Sequence, residues 1–355
     1  METELLTRRE PLILVEDKVP YIGSIAGARV IKLPAGEFTR ENVREADALI
    51  VRTRTRCDAT LLDATNVKVI ATATIGTDHI DLNYCATHGI QVFNAPGCNA
   101  QAVAQYVMCS IITLMNRPVG QHTLAIVGVG HVGTIVERWA RALDMKVLRV
   151  DPPRQRAEGG DDWTTLDQAM AEADIITFHT PLTREGDDAT YHLLDSRRLA
   201  LARRAPIIIN AARGEVVDNT ALVMARRQGL VSHLVIDCWE NEPDINRDLL
   251  TLSDIATPHI AGYSRSGKIR ATVAALRAVC NSLDLPITHP VDSNGHRLTP
   301  EHHADTVSIS TLKDSYNPIE DKASLKMMTT FTPTLFERAR NTYDLRPEPR
   351  QAIID

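Results

Sequence analysis

Aromatic side chains are scarce in this sequence. Phe, Trp and Tyr together make up 4% of its 355 residues, too few to tile a base-stacking surface for nucleic acid. Positive charge is not in surplus either: the formal net charge is −6, whereas binding along a duplex needs a basic field. Long apolar runs are missing. The most apolar stretch, Ala102–Met115, is broken by Gln105 and falls short of the ~20 residues a bilayer-spanning helix requires. The first residues, METELLTRREP, carry mixed charge and no apolar core, unlike a secretory leader. These ~10 residues are expected to be disordered. Cysteines occur but never as C-x-x-C. Cys57, Cys85, Cys98, Cys109, Cys238 and Cys280 lie far apart, as expected of free thiols in a reducing cytoplasm. There is no fixed-period repeat and no low-complexity tract, and nothing in the pattern calls for a metal.

What remains is an ordinary globular composition, 44% hydrophobic and 24% charged, in a chain long enough for two or three domains. Short runs rich in Ile, Val and Leu predict buried strands at Leu12–Val15, Ala48–Val51, Val69–Ala73 and Gln91–Phe93. Helical spacing over Asn99–Met115, with Asn99 as N-cap, follows. A second series then alternates strands at Leu124–Val127, Lys146–Val150, Asp174–Phe178, Ile207–Asn210 and Val231–Asp237 with helices near Val132–Leu143, Thr165–Glu172, Asp195–Leu201 and Asn219–Gln228. Such alternation means βαβ units and parallel sheets. The expected class is α/β, with two doubly wound parallel-sheet domains. A helix near Ser266–Ser282 follows. After Asp284 the chain turns Pro-rich and polar, with one further helix over Thr334–Tyr343, the pattern of a linker and a small third module.

Gly128-Val129-Gly130-His131-Val132-Gly133 follows one of these strands and opens an amphipathic helix. In that setting G-x-G-x-x-G points to a dinucleotide. The first glycine permits the tight turn, the second lets the backbone approach a pyrophosphate, and the third lets helix and strand pack closely. The helix N-terminus offers unpaired N–H groups to the phosphates. The next strand ends at Asp151. A carboxylate there accepts hydrogen bonds from ribose hydroxyls and repels a 2′-phosphate, which favours NAD over NADP. Arg154 and Arg156, close behind, leave room for some tolerance of NADP.

Three further segments come off strand ends on the same rim, Ile209–Asp218, Asp237–Pro243 and Pro258–Tyr263. Each holds one residue suited to oxidising a 2-hydroxy acid. His259 is the natural base for the C2 hydroxyl proton. Glu242 is suited to orient the imidazole and stabilise its protonated form. Arg213 holds the substrate carboxylate in a fork. Taken singly, each is ordinary: a surface His, a loop Glu, a surface Arg. Together, beside a dinucleotide turn, they read as one site.

These residues carry a resemblance. NAARGEVVD, the D-x-x-x-x-E-P run and TPHIAGY, supported by TATIGTDH, APGCNA, DPPR and FHTPL, resemble the D-isomer-specific 2-hydroxyacid dehydrogenases from about Pro11 to Ser282. The tail FTPTLFERARNTYDLR is similar to the branch of that family in bacterial vitamin B6 synthesis, which oxidises a phosphorylated four-carbon acid. The resemblance implies a Rossmann-type NAD domain at 99–259, a flavodoxin-like substrate domain at 1–98 and 260–283, and a C-terminal dimerisation module at 284–355, hence a cytoplasmic homodimer. It implies Arg213, Glu242 and His259 as active-site residues. NAD contacts would come from Gly128, Gly130, His131, Val132, Gly133, Asp151, Thr180, Ala211, Ala212, Arg213, Asp237 and Gly262. Substrate contacts would come from Thr53, Thr74 and Tyr263. One departure is the segment RPVGQHTLAIVG, shorter than the family's and lacking its Gly-Lys-Thr lead-in. Two rival readings share the fold: an enzyme for the shorter acid 3-phosphoglycerate, and an NAD-sensing protein of the corepressor kind.

Overall fold

The computed structural model describes residues 9–115, 117–301, 304–328 and 330–350; most of the N-terminal stretch expected to be disordered lies outside them. The described chain forms two compact units. One takes the residues up to Asn99 together with Arg265–Pro300; the other takes Ala100–Ser264 and the residues from Glu301 on. Residues 284–355, expected as one module, are thus divided between the two.

The first unit holds strands β1 (Leu12–Glu16), β2 (Arg29–Leu33), β3 (Ala48–Val51), β4 (Val69–Thr72) and β5 (Gln91–Phe93). All pairings are parallel and the order is β2-β1-β3-β4-β5, the flavodoxin-like arrangement. The runs ALIV of β3 and VIAT of β4 are buried along their whole length, because helices cover both faces of a parallel sheet. β2 escapes sequence reading. It is a half-exposed edge strand, RVIKL, without a continuous apolar run.

The second unit holds β6 (Thr123–Val127), β7 (Lys146–Val150), β8 (Ile175–Phe178), β9 (Ile207–Asn210), β10 (His233–Ile236) and β11 (Ile255–Ala256), in the parallel order β11-β10-β9-β8-β6-β7. A single parallel bridge, Arg149 to Trp163, extends the β7 edge. β6 forms in full despite its short lead-in. The strand order switches sides between β6 and β8, and the crevice at that switch point is where such sheets bind ligands. Helix starts follow side-chain caps at Thr165, Asp195, Asp218 and Thr332.

The Ala100–Leu114 helix belongs to the second unit, and its residues 100–112 are all buried. Asn99 does not cap it: its buried Oδ1 has no hydrogen-bond partner among the described residues. The two glutamines inside this helix are occupied by the tail. Gln101 Nε2 donates to Pro349 O at 3.1 Å and its Oε1 accepts Ala304 N at 2.9 Å. Gln105 Nε2 donates to Pro347 O at 3.1 Å. The residue that interrupts the apolar run is thus an anchor for the C-terminal segment. All six cysteines are buried, and none is in a disulfide among the described residues.

Candidate active site

The glycine-rich turn leaves the C-terminal end of β6. Gly128 has φ +88°, and a Cβ there would lie 2.9 Å from His179 C and Thr180 N. A Cβ on Gly133 would overlap the Gly128 carbonyl oxygen. Both positions therefore require glycine. Gly130 differs: a Cβ there meets nothing within 4 Å, so its bare backbone leaves open space for a ligand rather than for protein. His131 is exposed at the helix start, and Val132 is half-buried.

Asp151 caps the Pro152–Glu158 helix. Its Oδ1 accepts Arg154 N at 3.0 Å, and Oδ2 accepts Val129 N at 2.8 Å. The carboxylate steadies the glycine turn and keeps lone pairs for ribose hydroxyls. Arg154 is spent on Val129 O, Thr134 Oγ1 and Glu158, and Arg156 on Asp188. Neither is held ready for a 2′-phosphate. Across the turn, buried His179 Nδ1 and Thr180 Oγ1 have no partner among the described residues, and burial lowers the His179 pKa to about 3, so that ring is neutral. Open space at Gly130, spare acceptors on Asp151 and unpaired polar atoms at 179–180 fit a dinucleotide.

The reactive residues lie off β9, β10 and β11. At the end of β9, the buried Asn210 amide ties the following loop: its Nδ2 donates to Arg213 O at 2.9 Å and its Oδ1 accepts Ala212 N at 3.2 Å. Arg213 NH1 donates to Ala212 O at 2.8 Å. Gly214 sits so close to the Trp239 carbonyl that any side chain would overlap it. Ala211 is half-buried and Ala212 buried.

Asp237, at the end of β10, is 1% exposed. Its Oδ1 accepts Ile260 N at 2.8 Å and the Thr257 hydroxyl at 2.6 Å; its Oδ2 accepts Ala261 N at 2.9 Å. Since Thr257 gives its proton to this carboxylate, the Tyr106 hydroxyl, 2.8 Å away, donates to Thr257. Expected as a cofactor contact, Asp237 here clamps the loop that carries His259. Burial raises its pKa, and the His259 charge and these hydrogen bonds pull it back.

His259 adopts φ +57°, a left-handed conformation His tolerates better than most residues. Its Nδ1 lies 2.9 Å from Glu242 Oε2 and 3.2 Å from Oε1. Glu242 Oε1 also accepts Trp239 N at 2.9 Å. Burial alone would lower the His259 pKa, but Cys238 and Glu242 raise it well above 6.5. Burial keeps the Cys238 thiol protonated, so the Glu242 carboxylate supplies the charge that matters. Burial pushes Glu242 up, and the His259 charge, its hydrogen bond and Trp239 N more than reverse this. Each partner thus favours the charged form of the other.

Gly262 and Tyr263 follow, both half-buried. Tyr263 N closes a turn on Ile260 O at 2.8 Å, and its hydroxyl accepts from Arg340 Nε at 3.3 Å. In the first unit, Thr53 and Thr74 both follow the C-terminal ends of neighbouring strands, β3 and β4. Thr53 is exposed. Thr74 Oγ1 donates to Gly76 O at 3.0 Å and lies 2.6 Å from Thr72 Oγ1, so its hydroxyl must turn to donate to an anion. Sequence reading missed Glu16, a fully buried carboxylate that accepts Arg52 N and Thr55 Oγ1, both at 2.8 Å. It also missed Tyr106, Thr257, Arg340 and Arg346. Thr257 stands in TPHIAGY, and Arg340 and Arg346 in the tail FTPTLFERARNTYDLR, but neither stretch tells what these side chains touch, and the Tyr106 position reads as ordinary helix core.

A dinucleotide turn and a histidine–carboxylate couple on one rim of a parallel sheet define a nicotinamide-dependent dehydrogenase. Comparison with known proteins narrows the class. Residues 100–261 match the D-isomer specific 2-hydroxyacid dehydrogenase, NAD binding domain. The chain is 45% identical over 344 residues to the erythronate-4-phosphate dehydrogenase of Bacteroides thetaiotaomicron, covering 95% of this chain and 97% of that one. It is 42% identical to the enzyme of the same name from Porphyromonas gingivalis, covering 96% and 93%. Among solved structures, D-lactate dehydrogenase from Aquifex aeolicus, complexed with NAD and lactic acid, superposes with a TM-score of 0.65 at 25% identity, covering 77% of this chain and 95% of that one. The chain belongs to the D-isomer specific 2-hydroxyacid dehydrogenase family, and its similarity to erythronate-4-phosphate dehydrogenases runs over nearly its whole length. It is an NAD-dependent oxidoreductase.

Proposed function

We propose that this enzyme oxidises 4-phospho-D-erythronate to 3-hydroxy-2-oxo-4-phosphooxybutanoate with NAD, as a step of pyridoxal 5′-phosphate (vitamin B6) biosynthesis. The observation that carries the reading is the His259–Glu242 couple at 2.9 Å, seated beside the Arg213 loop. Similarity to erythronate-4-phosphate dehydrogenases over 95% of the chain selects the substrate.

Arg213 binds the substrate carboxylate and fixes C2. Glu242 takes Nδ1 of His259, which leaves Nε2 to exchange the proton of the C2 hydroxyl. As that proton passes to His259, the C2–H bond breaks, and bound NAD supplies the hydride acceptor. Glu242 then stabilises the imidazolium formed. The turn at 128–133, Asp151, Thr180, Ala211, Ala212, Asp237 and Gly262 would line the cofactor; Thr53, Thr74 and Tyr263 would contact substrate. The reading extends to a cytoplasmic homodimer built through the C-terminal segment. Light scattering checks the dimer: a monomer at micromolar concentration removes that part.

NADH formation with 4-phospho-D-erythronate, 3-phosphoglycerate and D-lactate tests the substrate. The four-carbon phosphate should give the highest kcat/KM. Preference for 3-phosphoglycerate would overturn the assignment, and no turnover of any hydroxy acid would favour an NAD-sensing protein.

A further inference from the structure

The Pro333–Asn341 helix, near the end of the second unit, brings a cation to the catalytic loop. Arg340 Nε donates to the Tyr263 hydroxyl at 3.3 Å, four residues beyond His259. Its side chain is 17% exposed. Burial works against its charge, but Tyr263, Glu242 and Glu337 more than compensate, so the guanidinium stays charged. The influence is mutual, since Arg340 helps hold Glu242 low. Arg340 is thus within electrostatic reach of the His259–Glu242 couple.

Its terminal nitrogens are only loosely engaged. Among the described residues NH1 and NH2 make no hydrogen bond, and Glu337 Oε1 lies 3.8 Å from NH1, beyond hydrogen-bond length. A largely buried guanidinium with unused donors bears a desolvation cost that a docking anion relieves. Its planar fork matches the oxygens of a phosphate or carboxylate. A plain 2-hydroxy acid brings one anionic group, which Arg213 serves. A second arginine, brought by the C-terminal helix to the Tyr263 hydroxyl, matches a second anionic group.

We propose that Arg340 and the Tyr263 hydroxyl form the seat for a phosphate monoester at the far end of the substrate, so that the C-terminal helix sets the preference for phosphorylated over plain 2-hydroxy acids. This rests on the reading of Arg213 as the carboxylate clamp and His259 as the proton acceptor.

The test compares the full-length wild type with Arg340→Ala and Arg340→Lys. It measures kcat/KM for 4-phospho-D-erythronate and for D-erythronate, together with Tm. The wild type should favour the phosphorylated acid. Arg340→Ala should cut the ratio of the two kcat/KM values about 10²-fold, mainly through KM for the phosphorylated acid, as expected for lost charge-assisted hydrogen bonds. Arg340→Lys, which keeps charge but loses the fork, should restore part of it. If Arg340→Ala folds poorly, inorganic phosphate as a competitive inhibitor gives a second measurement, and it should inhibit Arg340→Lys more weakly than wild type. Equal proportional losses on both acids, or an unaltered ratio and unaltered phosphate inhibition, overturn the proposal while the substrate assignment stands. A wild type that does not favour the phosphorylated acid overturns both.

Discussion

His259 and Glu242 hold each other in opposite charge states, and that coupling sets the pH behaviour of the enzyme. Oxidation needs His259 neutral, yet against the effect of burial Cys238 and Glu242 raise its pKa well above 6.5. In the direction of hydroxy-acid oxidation, kcat/KM should therefore climb with pH through an inflection on the alkaline side of 6.5. Glu242→Gln removes the charge that raises His259 and leaves the burial that lowers it. Its inflection should move to lower pH, read from pH–rate profiles of the two proteins; an unmoved inflection would separate Glu242 from the titration. His259→Ala should lower kcat by at least ~10²-fold, with NAD affinity retained in a fluorescence titration.

Strand ends and turns make the next scale. The site is assembled from four parallel strands, β6, β9, β10 and β11, whose C-terminal ends share one rim, as pairing through β8 requires. Two glycines of the turn after β6 are needed for different reasons. At Gly133 a Cβ meets the protein's own backbone; at Gly130 it meets nothing. Gly133→Ala should therefore destabilise the fold by about 1–3 kcal/mol, measured by urea unfolding. Gly130→Ala should keep the wild-type Tm and raise the Kd for NAD by about tenfold or more, because its methyl enters the space where a pyrophosphate approaches the backbone. Equal Tm losses in the two variants would contradict this division.

At the scale of the whole molecule, the C-terminal segment is part of the second unit's interior. Arg346, 6% exposed, donates to the carbonyls of Ala102, Ile260, Ala261 and Tyr263 and to Gln105 Oε1. One guanidinium thus ties the first turn of the Ala100–Leu114 helix to the loop just after His259. Ser264 Oγ donates to Glu348 Oε1 at 2.6 Å, which adds a second tie. Arg346→Ala leaves several buried carbonyls without donors and should cost about 3–5 kcal/mol, seen in denaturant unfolding, with kcat falling as the His259 loop loosens. A variant as stable and active as wild type would show the tail to be peripheral. The D-lactate dehydrogenase of Aquifex aeolicus leaves part of this chain unmatched, whereas the Bacteroides enzyme is matched over nearly all of it.

Alternating apolar runs and helical periods are local properties. They made the two parallel sheets, the turn at 128–133 and the roles open to Arg213, Glu242 and His259 legible along the chain before any contact was known. The edge strand β2 stayed hidden because half its surface faces water and its apolar run is broken. The partners of Asp237, the clamp made by Arg346 and the place of Arg340 were beyond sequence reading for another reason. Their bonds join residues 23, 86 and 77 positions apart, and a hydrogen bond between distant residues leaves no period or spacing in the chain that makes it. Only the folded second unit shows that the tail reaches the catalytic loop, because only packing selects which of many arginines meets Tyr263.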